Sequence, residues 1–425
     1  MKNKLPSKFF TLALSFFFAL SITSSVFAVG VKPLRTELTI EPGLAATARI
    51  KVINSEAKEM TFKPELQPHV SNDDGGYPVP VELDLDDPFN IVNWISFSEE
   101  TLILAAGETR EVLFTVRVPE DAEPGGRFAS LLYSPVVDKE DGDVKVQVRV
   151  ASLILVTVAG DQRVAAELNS FGLKDGKVFG DKTVEIATGL NNSGNVHVRP
   201  IGSIELTDEN GNILTEIARY IDHETGEEIV SSQIPVNLSY GNVLPGSSRT
   251  FVTEWNENIQ PGKFIARLDL RYDDDQLALV QVAEIDIHED LKIDSFEISR
   301  EPELTEFNVI MTNQGTVYER PVGRVEIRNE YDSVVASPEI LSDIEYIAPG
   351  ETVKITVPWL KKQVPKGKYT GRLLTTYGFS NTALASDEIH FSSDVVDLTL
   401  YLVTGGGFLV LLAVIFAIVR KKKKK

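Results

Sequence analysis

The chain of 425 residues contains no cysteine. Disulfides, Cys-ligated zinc, iron–sulfur clusters and thiol nucleophiles are therefore excluded together. Histidine is scarce: His69, His197, His223, His288 and His390 are the full set. No two of them stand at a metal-ligand spacing such as i, i+4 on a helix. There is no Gly-x-Ser-x-Gly, no phosphate loop, and no Gly-x-Gly-x-x-Gly before a helix. No amphipathic helix of three turns is readable between 29 and 397. Basic charge is short where it would matter. Residues 29–419 carry 33 Lys or Arg against 62 Asp or Glu, a net of −29. A stretch so acidic repels nucleic acid, whose phosphates need clustered Lys and Arg.

Two apolar segments suggest an address. Lys2, Lys4 and Lys8 precede the apolar run Phe9–Leu20, and Val26-Phe27-Ala28 places fitting residues before a cleavage point. Residues 1–28 thus read as a secretory signal peptide, with an uncleaved anchor as the other reading. Residues 398–419 carry no charge, and 22 residues at 1.5 Å each cover about 33 Å, enough for a bilayer core. Arg420 and Lys421–Lys425 follow, which puts that end in the cytoplasm by the positive-inside rule. The expected topology is single-pass type I in the cell membrane: an extracellular part, a transmembrane helix at 398–419 and a basic tail at 420–425.

What lies between has the period of β-structure. Ala48-Arg49-Ile50-Lys51-Val52 alternates, and so does Val144–Val150. Such alternation places one face on a core and the other in water. Turn signals recur at Asp74-Gly75, Asp141-Gly142, Asp175-Gly176 and Asn210-Gly211, where positive φ is easily adopted. Many short strands with this spacing predict an all-β fold of tandem immunoglobulin-like sandwiches, followed by the C-terminal transmembrane helix.

An internal repeat sharpens the division. Asn192, Gly194, Val196, Arg199, Pro200, Gly202 and Glu205 recur 121 residues later as Asn313, Gly315, Val317, Arg320, Pro321, Gly323 and Glu326. Pro245-Gly246 and Pro349-Gly350 each lead, nine residues after the glycine, to Trp255 and Trp359. The offset there is 104, so the earlier copy holds 17 extra residues, placed near Asp222–Tyr240. A weaker version runs through Gly107, Pro119 and Pro124-Gly125-Gly126, with Val116 at the tryptophan position. The expected modules are 29–161, 162–290 and 291–392.

Residues 31–160 resemble the N-terminal, peptidoglycan-binding immunoglobulin-like domain of bacterial WxL-interacting surface proteins. Glu41-Pro42-Gly43, a strand ending at Asn54, Trp94, Gly107-Glu108-Thr109, Pro119 and Pro124-Gly125-Gly126 carry the likeness. The order of signal peptide, sandwiches, membrane span and basic tail matches as well. The resemblance implies a protein standing between membrane and wall. This chain departs from the family pattern of two immunoglobulin-like domains by adding a third module, 291–392.

The chemistry-bearing candidates are few. Glu82, Asp84 and Asp86 would share a strand face, and Asp273–Asp275 and Asp138–Asp143 are acidic loops. Calcium takes six to eight oxygens, yet none of these follows Asp-x-Asp-x-Asp-Gly, so they read first as solvated turns. Trp255 and Trp359 hold one repeat position and read as core. Trp94, in a more loop-like setting, is the candidate ligand contact. No catalytic residue, metal ligand or cofactor is assigned. The reading is a non-enzymatic surface protein that binds cell-wall polymer or other surface proteins. The alternative is an extracytoplasmic chaperone that lends a strand to secreted subunits. That alternative predicts an exposed apolar edge strand, for which Leu153–Val158 is the candidate.

Overall fold

The structure, a computed structural model, describes residues 29–71, 73, 77–78, 87–136, 149–222, 225–239, 241–272, 277–300, 304–340, 345–360 and 366–393. The expected signal peptide, the acidic runs at 82–86, 138–143 and 273–275, most of the alternating run 144–150, and the apolar segment 398–419 lie outside these. The described residues are all-β, with two single-turn 3-10 segments, Val92–Trp94 and Lys174–Gly176. No helix among them is long and apolar enough to cross a membrane. Contacts group them into two compact units. One holds Met1–Asn169, Gly189–Pro200 and Gly241–Thr250; the other holds Ser170–Thr188, Ile201–Tyr240 and Phe251–Lys425.

In the first unit a four-stranded sheet orders Val29–Lys32, Ala45–Asn54, Thr109–Arg117 and Ile95–Phe97. A five-stranded sheet faces it, ordering Arg35–Ile40, Val150–Val158, Gly125–Pro135, Met60–Gln67 and Leu102–Leu104. The alternation seen in the sequence sets the faces. Ile50 and Val52 are fully buried while Arg49 and Lys51 between them are exposed. Each such large apolar side chain stabilises by about 1.5–3 kcal/mol when taken from water. Strand Gly125–Pro135 is buried on both faces. Phe128 stacks on Phe89 and packs with Leu155 and Leu244, so its second face is covered by neighbours rather than by water.

The first unit also holds a junction. Gly126 N donates to Asn195 O at 2.6 Å. The Arg199 guanidinium pairs with the Glu37 carboxylate, and Asn242 Oδ1 accepts from Arg199 Nε at 3.2 Å.

The middle module places Ala166–Leu173, Val184–Asn192 and Ser248–Trp255 in one sheet. Its other sheet orders Ile234–Val236, Ile201–Asp208, Gly262–Tyr272 and Leu277–Ile287. The extra residues add a separate hairpin, Ala218–Ile221 with Glu228–Ser231, turning at Gly226. The last module repeats the plan. Leu291–Arg300, Leu304–Asn313 and Thr352–Leu360 form one sheet, and Val334–Ala336, Val322–Asn329 and Gly367–Tyr377 lie in the other.

A shared corner shows that the repeat is threefold. Asn54, Asn192 and Asn313 are each fully buried at a strand end. Each amide Nδ2 donates to the carbonyl four residues on: Lys58, Val196 and Val317. Each also donates across the corner, to Leu104 and Ala105, to Val243, and to Ile347. Each Oδ1 accepts from the backbone two residues on. One side chain thereby satisfies backbone groups that a buried loop would leave orphaned. Opposite it, Gly107, Gly246 and Gly350 turn the chain at φ of 70°, 68° and 77°, where a side chain would be strained. Nine residues later stand Val116, Trp255 and Trp359, exposed by 0%, 0% and 2%. Trp255 Nε1 donates to Glu257 O at 2.8 Å, while Trp359 Nε1 has no hydrogen-bond partner.

Candidate functional site: an open edge strand

The last strand of each module has a different fate. In the first module, Val150–Val158 lies between Arg35–Ile40, in parallel register, and Gly125–Pro135, antiparallel. Its candidate segment Leu153–Val158 is therefore an inner strand. That corrects the expectation that it forms an exposed edge. A continuous apolar run is the mark of a strand covered on both faces and paired on both sides. In the third module the last strand is broken into Thr382–Ala385 and Ile389–Ser393. Between them Ser386 turns in to pair with Leu373, and such a break disrupts an edge as a template.

In the second module the equivalent strand, Leu277–Ile287, is unbroken for 11 residues and ends its sheet. It pairs with Gly262–Tyr272 along one side, in register from Gly262↔Ile287 to Tyr272↔Leu277. It contains no Pro, Gly or Lys, the residues that commonly blunt an edge. From Glu284 to Ile287 its side chains alternate between solvent and core, whereas Val280, Gln281 and Val282 are all exposed. Ile285 and Ile287 enter the core at 1% exposure each. On the outer face Val280 and Val282 are 51% and 57% exposed. Glu284 and Asp286 follow on that face, both exposed. The neighbouring strand sets Asp269 opposite Val280, Arg267 opposite Val282, Ile265 opposite Glu284 and Lys263 opposite Asp286. Ile265 is itself 45% exposed. The result is an unbroken edge with an apolar half and an acidic half, paired along its other side with Gly262–Tyr272. Chemically it can accept an added strand through its backbone, with the two valines selecting apolar side chains.

The sequence reading missed this strand. Its signal was present: valines at 280 and 282 in alternation, no blunting residue, and a place after the Phe264 strand that makes it the last of its module.

The other candidates are distributed without converging. Trp94 ends the 3-10 turn Val92–Trp94 and is half-buried, packed against the first core. His69 Nδ1 lies 2.9 Å from Ser130 Oγ, but Ser130 is 1% exposed within strand Gly125–Pro135, out of reach of a substrate carbonyl. His197 belongs to the Glu37 junction, His288 lies 3.9 Å from Asp290, and His390 meets Thr370 Oγ1 at 3.2 Å. His223 lies outside the described residues. Among the described residues no three His, Asp or Glu side chains gather closely enough to share a metal ion. The clefts are open troughs, such as one lined by Asp208, Asn212, Ile217 and Phe264.

No family model and no curated protein sequence matches this chain. Solved structures similar to it include the class 5 fimbriae chaperone CfaA, at 13% identity over 60% of this chain and 98% of that one, with a TM-score of 0.29. A chain from the Salmonella enterica SafA pilin–SafB chaperone complex shares 12% identity over 61% of this chain and 99% of that one, TM-score 0.29. The PapD-like domain 7 of human CEP192 shares 11% identity over 33% of this chain and 92% of that one, TM-score 0.24. Likeness at this level leaves function to be argued from the edge itself.

Proposed function

We propose that this chain is a membrane-anchored extracytoplasmic assembly factor whose middle module pairs its edge strand with an extended segment of a secreted surface protein. The observation that carries this reading is the unbroken strand Leu277–Ile287, which ends its sheet among the described residues with Val280 and Val282 outward. Of the three last strands, one is covered and one is broken, so openness here is not a by-product of the repeat. The signal-like segment 1–28 and the apolar segment 398–419 with its basic tail support the placement outside the membrane. The work is strand pairing and needs no catalytic group. The resemblance of residues 31–160 to wall-binding domains supports a neighbouring role, in which the first module holds the molecule at the wall.

The test places a photo-reactive residue at position 280 or 282 of the full chain in its membrane. Cross-links to an extended segment of a secreted protein are expected at both positions. Val280→Lys should abolish capture while leaving melting unchanged, because the site is exposed and a charge on an edge resists strand addition. The reading fails if neither position cross-links while purified wall polymer still sediments the chain.

A further inference from the structure

The middle and last modules meet, within the second unit, through the segment Val178–Lys182 and the start of the second repeat block. Tyr318 N donates to Val178 O at 2.8 Å and Gly180 N donates to Tyr318 O at 3.0 Å. Phe179 packs on Tyr318 and Tyr346, and Arg320 pairs with Asp181. Beneath these lies Glu319, 0% exposed, whose carboxylate oxygens make no full hydrogen bond; the Gly378 backbone N–H gives them only a weak electrostatic hold. The repeat makes this placement telling. Counting 121 residues back, the same position holds Val198, 2% exposed, and each residue bridges its equivalent neighbour, Val243 or Ile347. The fold is therefore satisfied by an apolar side chain here, and a carboxylate is an addition.

A second carboxylate stands beside it. Glu289, in the linker between the modules, accepts from Phe379 N through Oε1, while its Oε2 is buried without a hydrogen-bond partner. Gly378 turns the chain next to Glu289 at φ of 74°. A Cβ at Gly378 would collide with the Glu289 carboxylate, and one at Gly180 would lie 2.7 Å from Glu319 Oε2. Both glycines leave room for acid groups. An unpaired buried carboxylate costs several kcal/mol when ionised and much less when it carries a proton.

We propose that Glu319 and Glu289 form a proton-binding clamp that holds the middle module to the last one in acid and loosens it above neutrality. The groups facing the pair support this. From the middle module come Asp181, already tied to Arg320 and Tyr346, and Lys182, whose Nζ lies over the Phe179 and Tyr346 rings at 4.8 and 5.1 Å. Lys177 Nζ lies over Tyr318. From the linker and the last module come Asp290 and Tyr377, the latter pushed up by burial. The two nearby lysines are thus seated on rings rather than on the carboxylates. Burial, then the charge of Glu289 and that of Asp181, push Glu319 up to about 7, only partly offset by the Gly378 backbone. Burial raises Glu289 too. With a folded value above the unfolded one near 4.5, the clamp's contribution is complete below about pH 4.5 and is lost as pH rises through about 7.

Hydrogen exchange on the full chain tests this at the Gly180 and Tyr318 amides, whose bonds join the modules. After correction for intrinsic exchange, protection should fall on the order of 100-fold from pH 5 to pH 8. Glu319→Gln, neutral at every pH, should keep acid-level protection at pH 8, and Glu319→Val, the residue of the repeat partner, should do the same. Should either variant fail to fold, the wild-type Glu319 carboxyl carbon shift is followed by NMR: titration near pH 7 is expected. Titration below pH 5, pH-independent protection, or an unchanged pH response in Glu319→Gln would each overturn the clamp. So would restoration of wild-type protection at pH 8 by millimolar calcium, which would make the pair a cation site instead.

Discussion

Arg199 and Arg320 occupy one position of the repeat, and each reaches an acid of the module before it, Glu37 in the first unit and Asp181 in the second. The neighbours one residue earlier differ. Val198 fills its place with apolar volume, whereas Glu319 fills the same place with a carboxylate. The two junctions therefore share their surface latch and differ in what lies beneath. Their responses to pH run in opposite directions. In the first, the imidazole of His197, 3.9 Å away, and the Arg199 guanidinium hold Glu37 down to about 2. At 3.9 Å the imidazole is beyond hydrogen-bond reach, and the guanidinium in direct contact is the firmer hold. In the second, burial raises Glu319. A repeat can thus keep its geometry through a common arginine and a common asparagine corner while one substitution sets the electrostatic character of each joint.

The largest test of the shared scaffold is at the tryptophans. Trp255→Ala and Trp359→Ala should each cost about 3–5 kcal/mol, because both are core residues with aromatic neighbours. Heat unfolding followed by circular dichroism should show a lowered transition in each variant. An unchanged transition in one of them would break the equivalence of the copies.

Moving the carboxylate to the first junction has the next largest effect. Val198→Glu should destabilise the first junction by about 3 kcal/mol at pH 8, through a buried unpaired acid, and by much less at pH 5. The check is the Gly126 amide, which donates to Asn195 O, followed by exchange at both pH values. Equal loss at pH 5 and pH 8 would mean that shape rather than charge governs the site. Removing the common corner should cost somewhat less. Asn192→Ala and Asn313→Ala each leave two buried carbonyls without their amide donor, at about 2 kcal/mol in either copy. Thermal melting of the two variants should agree closely.

How far these features could be read in advance depends on their range. The all-β character, the alternation around Ile50 and the repeat of Asn192 with Asn313 were legible, because period-2 patterning and turn glycines act locally. The buried tryptophans were legible for the same reason: two copies at one spacing argue for packing. The equivalence of Asn54 was less visible, since the first module keeps the corner but replaces Trp with Val116. The open edge was misplaced. Leu153–Val158 is the more apolar run, but apolarity on both faces marks an inner strand, and the true edge at Leu277–Ile287 is only half apolar. Whether a strand has a neighbour on each side is decided by residues more than a hundred positions away, as with Arg35–Ile40 beside Val150–Val158. The carboxylate pair was unreadable for a like reason. Glu289 and Glu319 are 30 residues apart and are ordinary acids until Gly378 and Gly180 bring backbone against them.

The smallest expected effect concerns Glu37. Its carboxylate is about one-third exposed, so solvent screens its pair with Arg199 and the energy at stake is modest. The sign is nevertheless definite. A folded value near 2 against an unfolded one near 4.5 means that the contribution is present above about pH 4.5 and is lost as pH falls toward 2. Exchange at the Gly126 amide should therefore quicken a few-fold between pH 4.5 and pH 2.5 in the wild type, after intrinsic correction. Glu37→Gln keeps the shape and an acceptor for Arg199 but cannot titrate. It should remove that dependence and leave the Gly180 and Tyr318 amides untouched. If Glu37→Gln also changed protection at Gly180, the two junctions would be energetically coupled rather than independent.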